Sequence, residues 1–192
     1  MASPYYTKQP VYLEDPSGRH ANILTNKEPG YEKEALGINT PTRLNFPFTP
    51  TISIISSANY QEYQLTHANF QQRAFDSHAN MELNIAAPMI VRSTEEANYV
   101  YNAALWIRGM MKMQWLRDED PGMPPPILRF YAHGIYKNVP CVVRDFTWNL
   151  DSDIDYVEIP SGINEGMRVP VQNMFVMTIA TIRTAKKNKY ST

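Results

Sequence analysis

One segment of this chain repeats its apolar residues with a helical period, and it is bounded on both sides by stretches that alternate. The segment is "STEEANYVYNAALWIRGMMKMQW", from Ser93 to Trp115. Ser93 has the chemistry of an N-cap, and Glu96 three residues later completes a capping box. Glu95 and Glu96 suit the positive end of a helix dipole, and Lys112 and Arg117 suit the negative end. Ala97, Val100, Tyr101, Ala104, Leu105, Arg108 and Met111 fall on one stripe, broken only by Arg108. A helix over 94–116 would be about 33 Å long. A single helix of that length can cover one face of a small sheet.

The remaining segments alternate with period two. "TISIISS" puts Ile52 and Ile54 on one side and Thr51 and Ser53 on the other. "NYQEYQLTH" follows, and a short strand is expected around Arg73–Phe75. "MELNIAA" alternates Met81, Leu83 and Ile85 with Glu82 and Asn84. After the helix come "ILRFYA", the turn "HGIYKN" and "VPCVVRDFTWNL", the last with Val142, Phe146, Trp148 and Leu150 on one face. "DSDID", "YVEI" and the loop "PSGINEG" lead to "VPVQNMFVMTIATIRT". That last run is apolar on both faces for part of its length, as in a central strand. Short connections favour antiparallel pairing. The expected fold is mainly β with one long helix: an antiparallel β-sandwich or partly open barrel with the helix packed against it.

Residues 1–50 are different in kind. They hold seven of the 15 prolines, and their apolar residues lack a period. Proline removes a backbone donor, so the segment reads as an extended, proline-rich arm rather than a central strand. Tyr5, Tyr6 and Tyr12 are its candidate interface anchors, because tyrosine suits contacts that are dry at one end and hydrogen-bonded at the other. The organisation expected is an arm over 1–50, a β domain over 51–184 and a polar tail over 185–192.

Composition narrows the function classes. Hydrophobic residues are 43 % of the chain, enough for a core, and charged residues only 19 %. The formal net charge of −1 lacks the basic surplus of a protein that grips phosphates. Lys186, Lys187 and Lys189 read as a solvated tail. No run of about 18 apolar residues signals a membrane span, and "MASPYYTKQPVYLEDPSGRH" has no hydrophobic signal core. The single cysteine, Cys141, allows no intrachain disulfide and fits a reducing compartment.

Candidate chemistry is sparse. Asp151, Asp153 and Asp155 match positions 1, 3 and 5 of a calcium loop, but Tyr156 stands where glycine is needed and Gly162 where a bidentate glutamate is needed. The stretch reads better as a polar turn between strands, or as an acidic patch. Cys141 and His133 are close in sequence, yet "VPCVV" points to a buried thiol rather than a nucleophile. His20, His67, His78 and His133 lack metal-ligand spacing, and no Gly-rich phosphate loop occurs. Met110, Met111 and Met113 read as core filling. No cofactor, metal or catalytic residue is expected.

The segments "THANFQQRAF", "APMIVRSTEEANYVYNAALWIRGMMKM", "PGMPPPILRFYAHGIYKNVPCVVRDFTWNLDSDIDYV" and "RVPVQNMFVMTIAT" occur in that order over residues 45–184. Together they resemble the tail-tube initiator proteins of contractile-tailed bacteriophages. The resemblance implies a tail-tube fold of two packed antiparallel sheets flanked by a helix. It also implies six identical subunits in a ring, neighbouring tail-tube and baseplate hub or spike proteins, and a lumen through which DNA passes without being held. The expected location is the virion tail, assembled in the host cytoplasm. The acidic turn Asp151–Asp155 would then face the lumen or a rim. The competing expectation is a lectin-like β-sandwich binding module without catalysis, which needs Trp106, Trp115 and Trp148 as surface platforms.

Overall fold

Strand β6, Glu82–Ile90, shows most directly how this chain builds its body. Leu83, Ile85, Ala87 and Met89 are buried, and the residues between them are only partly so. Its neighbour β11, Gln172–Thr181, buries Asn173, Phe175, Met177, Ile179 and Thr181 in the same alternation. The two run antiparallel in continuous register from Gln172↔Ile90 to Ala180↔Glu82. The computed structural model, which describes residues 11–18, 24, 42–64, 66, 69–113 and 122–182, extends this pair into a seven-stranded sheet.

The other strands of that sheet are β1 (Val11–Asp15), β2 (Thr42–Asn45), β3 (Thr51–Ile55), β7 (Leu128–Ala132) and β8 (Tyr136–Trp148). The spatial order is β2-β1-β7-β8-β11-β6-β3, and every neighbouring pair is antiparallel. Two ribbons stand apart from it: β4 (Ala58–Tyr63) with β5 (Gln72–His78), and β9 (Tyr156–Glu158) with β10 (Arg168–Pro170). Among the described residues the fold is thus mainly β with one long helix, as expected. It is not closed into a barrel, because β2 and β3 remain as margins. The described strands form one hydrogen-bonded series of seven, from β2 to β3, and the two separate ribbons.

The helix α1 spans Thr94–Met110 and packs against β8, β9 and β10. Ser93 is its N-cap, with an extended backbone, and its hydroxyl accepts from the Glu96 N–H at 3.3 Å. The Glu96 carboxylate accepts from the Arg92 N–H at 2.9 Å, one residue earlier than the usual reciprocal bond. At about 25 Å α1 is shorter than expected, and residues 114–116 lie outside the described ones. Its buried face is also turned. Ala97, Val100, Ala103, Ala104, Trp106, Ile107 and Met110 are buried, whereas Tyr101, Leu105 and Met111 are partly exposed. Arg108 accounts for the rotation: it sits mid-stripe, its charge must reach water, and the helix buries the indole of Trp106 instead.

The largest correction concerns the arm. Val11–Asp15 is an interior strand, paired on one side with β2 and on the other with β7. Val11, Leu13, Leu44 and Phe46 belong to the core. Prolines flank β1 at 10 and 16 but do not interrupt it, so its five residues keep their donors. The boundary at residue 50 therefore does not separate an arm from the domain. The boundary at 184 and the tail after it lie outside the described residues.

Two irregularities set the phase of β8. His133 and Gly134 both have positive φ, at 48° and 74°, and the Ile135 N–H bonds the Ala132 carbonyl at 2.9 Å. This is the two-residue turn whose twist suits a hairpin, so β8 begins at Tyr136, earlier than "VPCVV". Farther along, Thr178 pairs with Asp145 but Ile179 with Val143. Arg144 is the extra residue of a bulge, and inward positions change from odd to even across it. Cys141 and Val143 are buried before it, and Phe146 and Trp148 turn inward after it. Val142 and Leu150, expected to share the face of Phe146 and Trp148, do not; Leu150 is 59 % exposed.

A candidate interaction surface

The acidic turn is short and open. Asp151, Asp153 and Asp155 are all exposed. The Tyr156 hydroxyl donates to the Asp151 carbonyl at 2.7 Å, and the Ser152 hydroxyl donates to the Asp153 carboxylate at 3.2 Å. The first is a turn-holding bond from side chain to backbone, and the second joins two adjacent side chains. Among the described residues no group of three or more His, Cys, Asp or Glu is placed to hold a metal ion. No helix among them is long and apolar enough to cross a membrane.

Cys141 is fully buried beneath α1 and the sheet. Burial pushes its thiol up to about 12, with the Arg129 charge pulling weakly the other way. Its Sγ donates to the Leu128 carbonyl at 3.7 Å. His133 is exposed at the β7–β8 turn.

Of the tyrosine anchors, Tyr5 and Tyr6 lie outside the described residues. Tyr12 is on β1, where its ring stacks on Tyr131 at 4.5 Å and 15°, with the Arg43 guanidinium 5.0 Å above it. Arg43 also pairs with Glu14 at 2.7 Å. Burial and then the Glu14 carboxylate hold the Tyr131 phenol above its ordinary value. Tyr12 is thus an anchor within its own sheet rather than on a free arm. Trp106 is fully buried, Trp148 is half-buried, and Trp115 lies outside the described residues. The Trp148 indole N–H donates to Asn173 Oδ1 at 2.8 Å, while Asn173 Nδ2 donates to the Met89 and Pro170 carbonyls.

What the fold leaves uncovered lies elsewhere, at the sheet margins and on the β4–β5 ribbon. The β2 margin is partly closed from within: the Tyr99 hydroxyl of α1 accepts from the Asn45 N–H at 3.0 Å and donates to the Asn45 carbonyl at 2.8 Å. The β3 margin has no second strand beside it among the described residues, and Ile54 and Ile55 are 53 % and 46 % exposed. An open apolar margin is a template for strand addition. The sheet face away from α1 is neutral over its middle, with Asn84, Ala86, Met174, Val176 and Thr178 presented there. Thr178 Oγ1 donates across to Asn84 at 3.0 Å. Charge flanks this stretch: Asp145 lies in register with Thr178, Arg144 pairs with Glu82, and Glu14, Arg43 and Arg129 share the face across β2, β1 and β7.

The β4–β5 ribbon is exposed at every residue of both strands. Tyr60 and Phe75 lie directly across from each other, ring edge to ring face at 5.8 Å, and Arg73 pairs with Glu62 at 2.8 Å one step toward the tip. Phe70 at the tip is 85 % exposed. Sequence alternation signalled these strands, but nothing local signalled that their aromatic side would lack a cover. Comparison with known protein families and with curated proteins returns no match for the chain.

Proposed function

We propose that this protein is a structural ring subunit of a contractile bacteriophage tail, of the tail-tube type, at the initiator or baseplate-hub level between the central spike and the tube. Six copies would surround a channel through which DNA passes, in particles assembled in the host cytoplasm. The observation that carries this reading is the β3 margin. Among the described residues a seven-stranded antiparallel sheet ends there in an edge strand paired only with β6, with exposed Ile54 and Ile55. Such a margin supports extension of the sheet by a neighbouring copy, and the resulting head-to-tail contacts close into a ring when the rotation per subunit allows.

Two further features support it. The net charge of −1 and the uncharged stretch of the open sheet face along β6 and β11 suit a channel in which DNA slides without being bound. The ordered motifs over residues 45–184 favour the tail-initiator level. The acidic turn is assigned to the lumen or rim, where its carboxylates would repel the DNA backbone. Electron cryo-microscopy of tailed particles carrying a label on this chain tests the reading. The label should appear as a six-fold ring at the junction of tube and baseplate, with Asp153 toward the axis. Particles of full composition that lack the label would end the ring reading, and an outward Asp153 would end the lumen assignment alone.

A further inference from the structure

The β4–β5 ribbon is joined to the sheet through a break in pairing. The β3–β6 ladder ends at Ile55↔Glu82, and the β4–β5 ladder begins at Ala58↔His78. Ser56 and Ser57 span the gap on one chain, and Ala79, Asn80 and Met81 span it on the other. A second extra residue follows on the longer side: Asn59 pairs with Ser77 but Tyr60 with Phe75, which leaves Asp76 over. Extra residues on one strand bend it and raise the local twist. Every residue of β4 and β5 is exposed, so packing on the body does not aim the ribbon. Its direction is decided at the joint.

His78, the last residue of β5, closes that joint. Its Nδ1 lies 2.6 Å from the Ala79 carbonyl oxygen, and its Nε2 lies 3.2 Å from the Ser56 hydroxyl. The Ala79 N–H in turn donates to the Ser57 carbonyl at 2.9 Å. The imidazole thus ties the two chains together across the gap. A carbonyl only accepts, so the proton of the neutral ring sits on Nδ1, and Nε2 accepts from the Ser56 hydroxyl. On the sheet side Met81 is fixed to the body, since its carbonyl accepts from the Thr181 N–H and hydroxyl, each at 3.0 Å. Asn80, exposed, lies between the two held ends.

We propose that His78 is a latch on a hinge. Its ring, held between Ser56 and Ala79, fixes the angle at which the β4–β5 ribbon leaves the sheet. Release of the ring lets the ribbon swing about Asn80 and Ser56–Ser57, a few residues that absorb the backbone change. The ribbon moves as one piece, because its own ladder, the Tyr60–Phe75 contact and the Arg73–Glu62 pair lie beyond the joint. His78 acts through the two chains it ties, so it is a positioning residue. The latch belongs to a single copy and does not rest on the ring reading.

Distances between two spin labels in the full-length chain test this. Asn69→Cys near the ribbon tip and Thr147→Cys on β8 take the labels, while Cys141 is buried and stays unlabelled. With His78 in place the distance distribution should be single and narrow. It should be at least about twofold broader in His78→Ala and in Ser56→Ala, which leaves the ring itself in place. His78→Asn, whose amide nitrogen can stand where Nδ1 stood, should narrow it again in part. In both alanine variants the Ala79 amide should exchange at least about fivefold faster while the unfolding midpoint stays unchanged. Ring nitrogen shifts in mildly alkaline buffer should show the Nδ1–H tautomer for His78. A broad distribution already in the wild type, a width unchanged in either alanine variant, or the Nε2–H tautomer would overturn the latch. The ring reading is decided separately, by the label's position in particles.

Discussion

Strand β6 and the β4–β5 ribbon have similar local patterns and opposite fates. In "ELNIAAPMI" every second residue is buried, whereas in "ANYQEY" and "QRAFDSH" every residue is exposed, three large aromatics among them. The pleat is the same in both. What differs is the cover. β6 lies between β11 and β3 under a core completed by α1, and the ribbon has only itself. Alternation therefore encodes a strand and a face that wants to be dry, but not whether the same chain supplies the dryness. The helix-covered sheet is a packed body, and the ribbon is an appendage whose apolar side has no cover among the described residues.

That contrast can be broken first by removing residues 1–18. If β1 is interior to the body, the truncated protein loses its cooperative thermal transition, since Leu128, Phe130 and Leu44 lose the strand between them. A truncated protein that melts sharply near the wild-type temperature would return β1 to an arm. Ile107→Asp puts an unpaired charge between α1 and the sheet. It should cost more than about 4 kcal/mol and leave little soluble folded protein. Leu105→Asp, on the half-exposed side, should be clearly milder, and equal damage from the two would refute the observed rotation of the helix. Asn173→Ala leaves the Trp148 N–H and two carbonyls without their shared partner, and should lower stability by about 1–3 kcal/mol in urea unfolding. At the small end, Phe75→Ser on the ribbon should move stability by less than about 0.5 kcal/mol. A loss comparable to Asn173→Ala would mean the ribbon belongs to the body after all.

Much of the body was legible in the residues, for local reasons. Ser93 and Glu96 announce the helix start because capping is local chemistry, β6 announces itself by its alternation, and β11 by a run that is apolar on both faces. The misreadings arise where a distant element decides. Proline density concealed β1: its five residues contain no proline, but only the pairing with β2 and β7 makes them an interior strand. The bulge at Arg144 changed the inward phase of β8, and a bulge is a property of the register with β11 rather than of "VVRDF" alone. The helix stripe drawn through Leu105 treated Arg108 as a single break, whereas Arg108 is exposed and that side of the helix is only partly buried. Of the candidate surface, the exposed aromatics could be named as residues, but their lack of a cover could not, because exposure depends on what the remainder of the chain fails to reach.

The burial of Cys141 has a consequence for durability. It is the chain's sole sulfhydryl, and the closed body keeps it protonated and out of reach. Moving from a reducing interior to aerated surroundings would therefore neither cross-link neighbouring copies nor scar the polypeptide at sulfur through this residue. A component built from such subunits tolerates the change of medium without needing a bond to be made or protected on the way.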